Sequence, residues 1–483
     1  MIDFRPILFI VGILLATLAV AMVLPAVADA AVGNRDWQVF AISAALTLFV
    51  GGILVLSTRG AVRGGIGLRQ AFVLTTLCWL VIPTFAALPF MFADLKLDYT
   101  DAFFEAMSGV TTTGATVIVG LDHAAPGILL WRALLQWLGG IGIIAMALVV
   151  LPMLQVGGMQ LFRMESSDRS EKALPRAAQF ATWTGFLYLG FTLLCAALYR
   201  LAGMGGFDAV AHAMTTIATG GFSTRDSSVG FYKEPLIDLV AVIFMLIGSL
   251  PFVLYVRAVR GAPGMLWRDE QVRWFLGIVL IAVSAMTMYL VFLRGVDGPD
   301  ALRMAAFNVV SVITGTGYAT TDYDAWGGFA ITAMFCLMFI GGCAGSTTCG
   351  IKVFRLQVLY ASANIQVRRL LQPNGVFIPY YNGKPIPDAV TESVMAFFFL
   401  FLLCFMAIAV GLSLAGLDFI TAMSGAATAI SNVGPGLGPI IGPAGNFASL
   451  PDAAKWLLAA GMLLGRLELF TVLVLLMPSF WRA

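Results

Sequence analysis

The sequence predicts an all-α polytopic membrane protein, and three observations carry that prediction. Of the 483 residues, 60% are hydrophobic and only 11% charged, against roughly 25% charged in soluble domains. Mean hydropathy is +0.93. Apolar runs of about 20 residues, the length that crosses a hydrocarbon core, recur along the whole chain. The net charge of +2 is too small to indicate nucleic acid, so the positions of the 28 basic residues matter more than their sum.

About ten such segments follow in order, near 6–28, 37–57, 69–92, 128–152, 180–202, 235–256, 273–293, 329–367, 390–415 and 454–480. The first needs care, because Arg5, an apolar run and AVADA together resemble a secretory signal. The run from Pro6 to Val27 is long enough to span, so a retained helix is expected. Basic residues assign the sides. Arg59, Arg63 and Arg69 follow the second span; Arg163, Arg169, Lys172 and Arg176 the fourth; Arg257, Arg260, Arg268 and Arg273 the sixth; Lys352, Arg355, Arg368, Arg369 and Lys384 the eighth. Every second loop is basic, which places both termini in the cytoplasm. The opposite loops carry fewer, among them Arg35, Lys96, Arg225 and Arg294.

Six cysteines (Cys78, Cys195, Cys336, Cys343, Cys349, Cys404) fall in apolar segments and read as reduced packing residues. His123 and His212 match no metal-ligand spacing.

Four outer connections share one plan: an aspartate, a short helical stretch, then an uncharged segment with glycine. The segments are TTTGAT (111–116), ATGGFS (218–223), GTGYAT (315–320) and SNVGPG (431–436). Asp101 leads to Gly114, Asp208 to Gly221, Asp300 to Gly317 and Asp418 to Gly434, at separations of thirteen, thirteen, seventeen and sixteen residues. The aspartates read as N-caps, which accept free N–H groups at the positive end of a helix. Four parallel copies of span, short helix, loop and span result: 69–165, 178–260, 272–369 and 388–483, preceded by two helices in 1–58.

Stretches of about 12 residues cannot cross a bilayer, so each must enter and turn back. Irregular backbone at that depth has to be buried by protein or line a water-filled path. Glycine lets successive carbonyls point one way, and carbonyl rings can replace the hydration shell of a monovalent cation. The ion-binding candidates are Thr111, Thr112, Thr113 and Gly114; Ala218, Thr219, Gly220 and Gly221; Thr314, Gly315, Thr316 and Gly317; and Ser431, Asn432, Val433 and Gly434. No side-chain charge lies among them, which argues against divalent selectivity. The bland alternative, small residues that merely allow close helix packing, suits one loop better than four in register.

Through DAFFEAMSGVTTTGAT, ATGGFST, GGCAGST (341–347), SNVGPGLG and the terminal GRLELFTVLVLLMPSFW, the chain resembles the Trk/Ktr/HKT superfamily of potassium uptake proteins, TrkH type, over essentially its full length. That resemblance implies four pseudo-symmetric repeats, each a helix, a re-entrant pore helix and a second helix, around a central pore. It associates the glycines Gly114, Gly221, Gly317 and Gly434 with potassium as the transported ion, and a serine in the first loop of some relatives with sodium. It further implies no covalently bound cofactor, a homodimer in the bacterial inner membrane, and a cytosolic TrkA-type ring of nucleotide-binding RCK domains. The ring would dock on the basic face around 163–176, 257–273 and 352–384.

The eighth segment breaks at GGCAGSTTCG, where glycines and hydroxyls replace a helix-favouring run. The resemblance makes this an intramembrane gate: Gly341, Gly342, Gly345, Ser346 and Thr347, with Arg466 beside the pore. Thr348 and Cys349 depart from the more usual glycine-rich continuation, and a tight helix crossing is the alternative. Arg466, read near the centre of the last span, would cost at least ~2.5–3.5 kcal/mol unpaired and so needs a partner or water; a structural ion pair is the other reading. Glu468, two positions on, is a poor same-face partner and is expected to pair elsewhere. Pro251 should kink the sixth span within GSLPFVLY (248–255).

Other functions find less support. No HExxH or GxSxG pattern serves an intramembrane enzyme, and GPGLG (434–438) follows no strand. A proton- or sodium-coupled symporter would use intramembrane carboxylates, for which Glu105 and Glu468 are the candidates. The absence of Walker and Rossmann patterns leaves nucleotide sensing to a partner.

Overall fold

The computed structural model describes residues 2–60, 67–149 and 173–482. Two leading helices, α1 (Arg5–Ala31) and α2 (Trp37–Thr58), meet at Gly12 and Gly51, where a Cβ on either would stand 2.8 Å from the other's carbonyl oxygen. Small residues let backbones approach this closely where lipid provides no hydrophobic drive. α1 runs through AVADA, and its buried Asp29 accepts the N–H of Gly127 at 2.6 Å, tying the helix to the first repeat.

Each repeat then follows the expected order. The first contains α3 (Leu68–Phe92), the short α4 (Tyr99–Val110) and α5 (Pro126–Val149). The second contains α6 (Ala173–Leu201), the short α7 (Gly206–Ile217), α8 (Pro235–Ser249) and α9 (Phe252–Val259). The third contains α10 (Glu270–Arg294), the short α11 (Gly298–Ile313), α12 (Gly328–Met338) and α13 (Val353–Leu371). A small hairpin, β1 (Tyr380–Tyr381) and β2 (Lys384–Pro385), leads to the fourth, with α14 (Asp388–Leu414), the short α15 (Phe419–Ser431), α16 (Asp452–Arg466) and α17 (Phe470–Leu473). Among the described residues seven helices are long and apolar enough to cross a membrane, and up to nine if each bent pair is one span. Large apolar side chains such as Ile42, Phe49, Phe292 and Phe399 stand exposed on the outside, as a lipid-facing surface requires. Arg63, Arg163, Arg169, Lys172 and the end of the first repeat at 165 lie outside the described residues.

Three spans are broken, each differently. Between α8 and α9 the chain turns by 93° at Pro251, a break rather than the kink expected. The stretch 339–352 parts α12 from α13, as GGCAGSTTCG predicts. The last span, read as continuous from 454 to 480, instead turns by 107° after Arg466, with Glu468 and Leu469 at φ 61° and 41°. Arg466 therefore ends a half-helix and does not sit at the middle of a whole one.

The predicted caps also need correcting. Only Asp418 is an N-cap; Asp101, Asp208 and Asp300 stand in first turns, behind the caps Asp98, Gly205 and Asp297. Asp98 accepts the N–H of Asp101 at 2.8 Å, while Asp101 itself pairs with Lys455 of α16. An acidic residue anywhere in the first turn faces the positive helix end, so the pattern marked the helix starts but not their caps. Counted from the caps, the interval to Gly114, Gly221 and Gly434 is sixteen residues, and to Gly317 twenty. The third short helix is longer by about one turn.

The basic run after the eighth segment divides too. Arg368, Arg369 and Lys384 are exposed, but Lys352 and Arg355 are buried. Arg355 pairs with Glu468 and stacks on Phe397 at 3.7 Å. All six cysteines are free thiols; four are buried, but Cys336 is exposed and Cys404 partly so.

Candidate functional site

Each short helix ends the same way. Thr112, Thr219, Gly315 and Asn432 take left-handed backbone, with φ between 49° and 66°. Their N–H groups donate to Gly109, Thr216, Val312 and Ala429. The next residues, Thr113, Gly220, Thr316 and Val433, donate to Ser108, Thr215, Ser311 and Thr428 at 2.8–3.1 Å. This pair of bonds is the Schellman closure, which satisfies the last helix carbonyls and turns the chain sharply. Three of the four left-handed positions are not glycine, at a cost of roughly 1–3 kcal/mol each, a strain that surrounding structure must hold.

One position further, Gly114, Gly221, Gly317 and Gly434 have φ of 90°, 75°, 79° and 112°. They meet in a closed circle. A Cβ on Gly114 would stand 2.3 Å from the carbonyl oxygen of Gly220; on Gly221, 1.8 Å from that of Thr316; on Gly317, 2.1 Å from that of Val433; on Gly434, 2.9 Å from that of Thr113. The carbonyls thus come from the residue before each glycine, taken in order from the next repeat. All four loops share one axis, and all four short helices end at it. Thr111, Ala218, Thr314 and Ser431 are the last buried residues before the turns. Thr111 and Thr314 bridge by hydroxyl to Thr113 and Thr316 at 2.8 and 2.7 Å.

Gln136 and Arg132, which no motif in the sequence marks, brace this ring. Gln136 of α5 donates to the carbonyl oxygen of Gly220 at 2.5 Å and accepts the N–H of Phe222 at 3.0 Å. Arg132, one turn earlier, pairs with Glu105 at 2.8 Å, donates to the carbonyl oxygen of Ser223 at 2.6 Å and lies 4.1 Å above the Phe222 ring. The second oxygen of Glu105 accepts the N–H of Val117 at 2.9 Å. One buried ion pair therefore fixes the loops of two repeats. Asn432 donates to the Thr113 hydroxyl at 2.8 Å, joining the fourth loop to the first.

A second circle of bonds lies beyond the ring. Asp226 accepts from Gly120 and Leu121; Gly230 donates to the carbonyl oxygen of Ala319; Asp324 accepts from Gly438 at 2.7 Å; Phe447 donates to the carbonyl oxygen of Thr116. These join repeats one to two, two to three, three to four and four to one. Burial, with Asp322 nearby, pushes the Asp324 carboxyl up to about 6. Between the circles a cavity is bounded by all four repeats, through Gly114, Gly221, Gly317 and Pro435.

On the opposite side the 339–352 stretch lies against the ring. The break at Pro251 frees the carbonyls of Gly248 and Ser249, which a continuous helix would have used. They accept instead from Thr347 and Cys343, while Phe252 donates its N–H to the carbonyl oxygen of Gly345. Two interrupted spans thus satisfy each other's backbone, the condition for irregular chain at membrane depth. Gly341 donates to the carbonyl oxygen of Ile351, and the carbonyl oxygen of Gly342 accepts from Val353, closing the stretch on itself. Gly345 turns at φ 75°, and Ser346 donates to the carbonyl oxygen of Cys343 at 2.6 Å. The Thr347 hydroxyl reaches that of Thr219 at 3.0 Å, and so touches the ring. Arg466 donates to the carbonyl oxygens of Thr347 and Gly139, each at 3.0 Å, and contacts the Cys349 sulfur at 2.7 Å. Gln271, at the start of α10, accepts the N–H of Ala344. Asp269 caps that helix and, with Glu270, holds Asn382 of the hairpin.

Comparison with known proteins agrees with this architecture. The TrkH family, described as cation transport proteins, matches residues 37–482. The chain is 49% identical over 480 residues to the Trk system potassium uptake protein TrkI of Halomonas elongata, covering 99% of this chain and 97% of that one. It is 38% identical over 484 residues to the Trk system potassium uptake protein TrkH of Escherichia coli, covering 99% of each. The crystal structure of the potassium transporter TrkH from Vibrio parahaemolyticus matches over 100% of both chains, with a TM-score of 0.90 at 37% identity. An integral membrane protein built as four repeats around one axis, with relatives that are transporters and not enzymes, the chain belongs to the TrkH family of cation transport proteins.

Proposed function

We propose that this protein is the ion-conducting membrane subunit of a potassium uptake system. Its filter is the carbonyl ring of Thr113, Gly220, Thr316 and Val433, backed by Gly114, Gly221, Gly317 and Gly434. The repeats 69–165, 178–260, 272–369 and 388–483 are its quarters. The observation that carries the reading is the closed circle in which each glycine faces a carbonyl of the next repeat. Such a ring presents neutral oxygens without side-chain charge, which suits a monovalent ion, and relatives over the full chain are named potassium uptake proteins. The stretch 339–352 is the gate: it reaches the ring through Thr347 and is held by Arg466.

A channel fits better than a proton- or sodium-coupled symporter, because both candidate carboxylates are engaged, Glu105 by Arg132 and Glu468 by Arg355. The protein works as a homodimer in the bacterial inner membrane, with both termini cytoplasmic. A nucleotide-binding TrkA-type ring docks on the basic face. Of that face Arg257, Arg260, Arg268, Arg273, Arg368, Arg369 and Lys384 remain as candidates, while the buried Lys352 and Arg355 are withdrawn from it.

Ion flux into proteoliposomes tests the reading. Potassium should enter without any proton or sodium gradient, and Gly114→Ser should shift preference from potassium towards sodium. Flux that requires such a gradient, or a Gly114→Ser variant with unaltered preference, overturns it.

A further inference from the structure

Below the ring a second cavity lies between the 339–352 stretch and the break after α16. Ser346, Thr348, Cys349 and Lys352 bound it on one side, Arg466 and Glu468 on the other. Its charges do not balance. Glu468 is taken by Arg355, a cation outside the lining, which leaves Lys352 and Arg466. Both are buried, and among the described residues no carboxylate pairs with either. Lys352 donates only to the carbonyl and hydroxyl oxygens of Thr348. Arg466 spends its two terminal nitrogens on Thr347, Cys349 and Gly139, and its buried Nε has no hydrogen-bond partner.

Around one carboxylate, Glu468, which is bonded to Arg355, the two further cations outnumber the anion in low dielectric, repel one another and lack the solvation that water or an anion would supply. They meet where the gate touches the fourth repeat, since Lys352 binds Thr348 while Arg466 binds the residues on either side of it. The cavity has room for roughly one water-sized body. A halide fits that space.

We propose that this cavity is a site for a halide-sized anion, chloride above all, clasped between Lys352 of the gate and Arg466 of the fourth repeat. The anion supplies the second counter-charge that Glu468 alone does not, and adds to the bonds by which Arg466 already holds the stretch. A ligand that binds one arrangement better than another shifts the protein towards it. Because the clasp exists only while the gate lies against α16, chloride holds the gate shut. The binding itself stands without the potassium reading; the effect on the gate rests on it.

Bromide, which scatters X-rays anomalously, reads the site directly in crystals of the full chain. An anomalous peak is expected between Lys352 and Arg466 in the unmodified chain and in Lys352→Arg, and none in Lys352→Met. In proteoliposomes, exchange of internal chloride for gluconate, a far bulkier anion, should raise potassium flux several-fold in the unmodified chain and leave Lys352→Met unchanged. A peak that persists in Lys352→Met, bromide only at scattered surface positions, or no peak at all overturns the site whatever the flux shows. A site that binds bromide while flux ignores chloride overturns the gating role alone.

Discussion

A Cβ on Gly221 would stand 1.8 Å from the carbonyl oxygen of Thr316 in the next repeat. No other pair in the ring is as close, and the distances order the four positions. Gly221→Ala and Gly317→Ala must displace a ring carbonyl as well as strain the backbone. They should lower the preference for potassium over sodium by about tenfold or more, since roughly 1.4 kcal/mol of differential binding does that. Gly434→Ala, with 2.9 Å available, should lose least, although its φ of 112° still disfavours a side chain. Gly52→Ala, where a Cβ meets nothing within 4 Å, is the control. Flux ratios in proteoliposomes rank the four, and a ranking unrelated to these distances contradicts the carbonyl filter.

Arg466 fastens the 339–352 stretch, the proposed gate, by three contacts to the first and third repeats. A charge-assisted bond contributes about 1.5–3 kcal/mol, so Arg466→Ala should favour the open gate by roughly ten- to a hundredfold and raise potassium flux without a regulatory partner. Unchanged flux at normal surface expression removes the residue from the gate.

Glu105 and Arg132 are buried on both sides of their ion pair. Glu105→Gln or Arg132→Met leaves the other charge without its partner, at a cost of ~3–5 kcal/mol. Thermal unfolding in detergent should show each single change as severe and the double change as much less than their sum. Additive losses would mean that the pair does not act as a unit.

Asp324 ties the third repeat to the fourth outside the ring, and burial lifts its carboxyl from 3.8 to about 6. A raised folded value means that folding takes up a proton in that window. Its contribution is fully present below about pH 4 and lost as the pH rises through 6. Asp324→Asn should flatten the melting temperature between pH 4 and 7 relative to the unmodified chain. Identical pH profiles for the two proteins exclude this group as the cause.

The parts legible in the sequence were those that repeat. Gly114, Gly221, Gly317 and Gly434 stand out because four separate stretches carry the same interruption, and each sits where space and dihedral exclude a side chain. Pro251 announces a bend, though not a full break, and GGCAGSTTCG announces its break, each through residues that helices disfavour. What stayed hidden depends on distant partners. Gln136 meets Gly220 across 84 positions, and nothing local to α5 signals it. The turn after Arg466 is made by Glu468 and Leu469, which have no intrinsic taste for left-handed backbone. Lys352 read as a surface charge because burial is a property of the whole fold.

The exchange between Gly248, Ser249 and the residues of 343–347 has a consequence for inheritance. Neither segment is complete by itself: Gly248 and Ser249 offer carbonyls freed by the break and Phe252 an N–H, and 343–347 supplies the two amides and the Gly345 carbonyl that meet them. A chimera that grafts the third quarter of a relative onto this chain will import the 339–352 stretch without its cradle unless residues 248–252 travel with it.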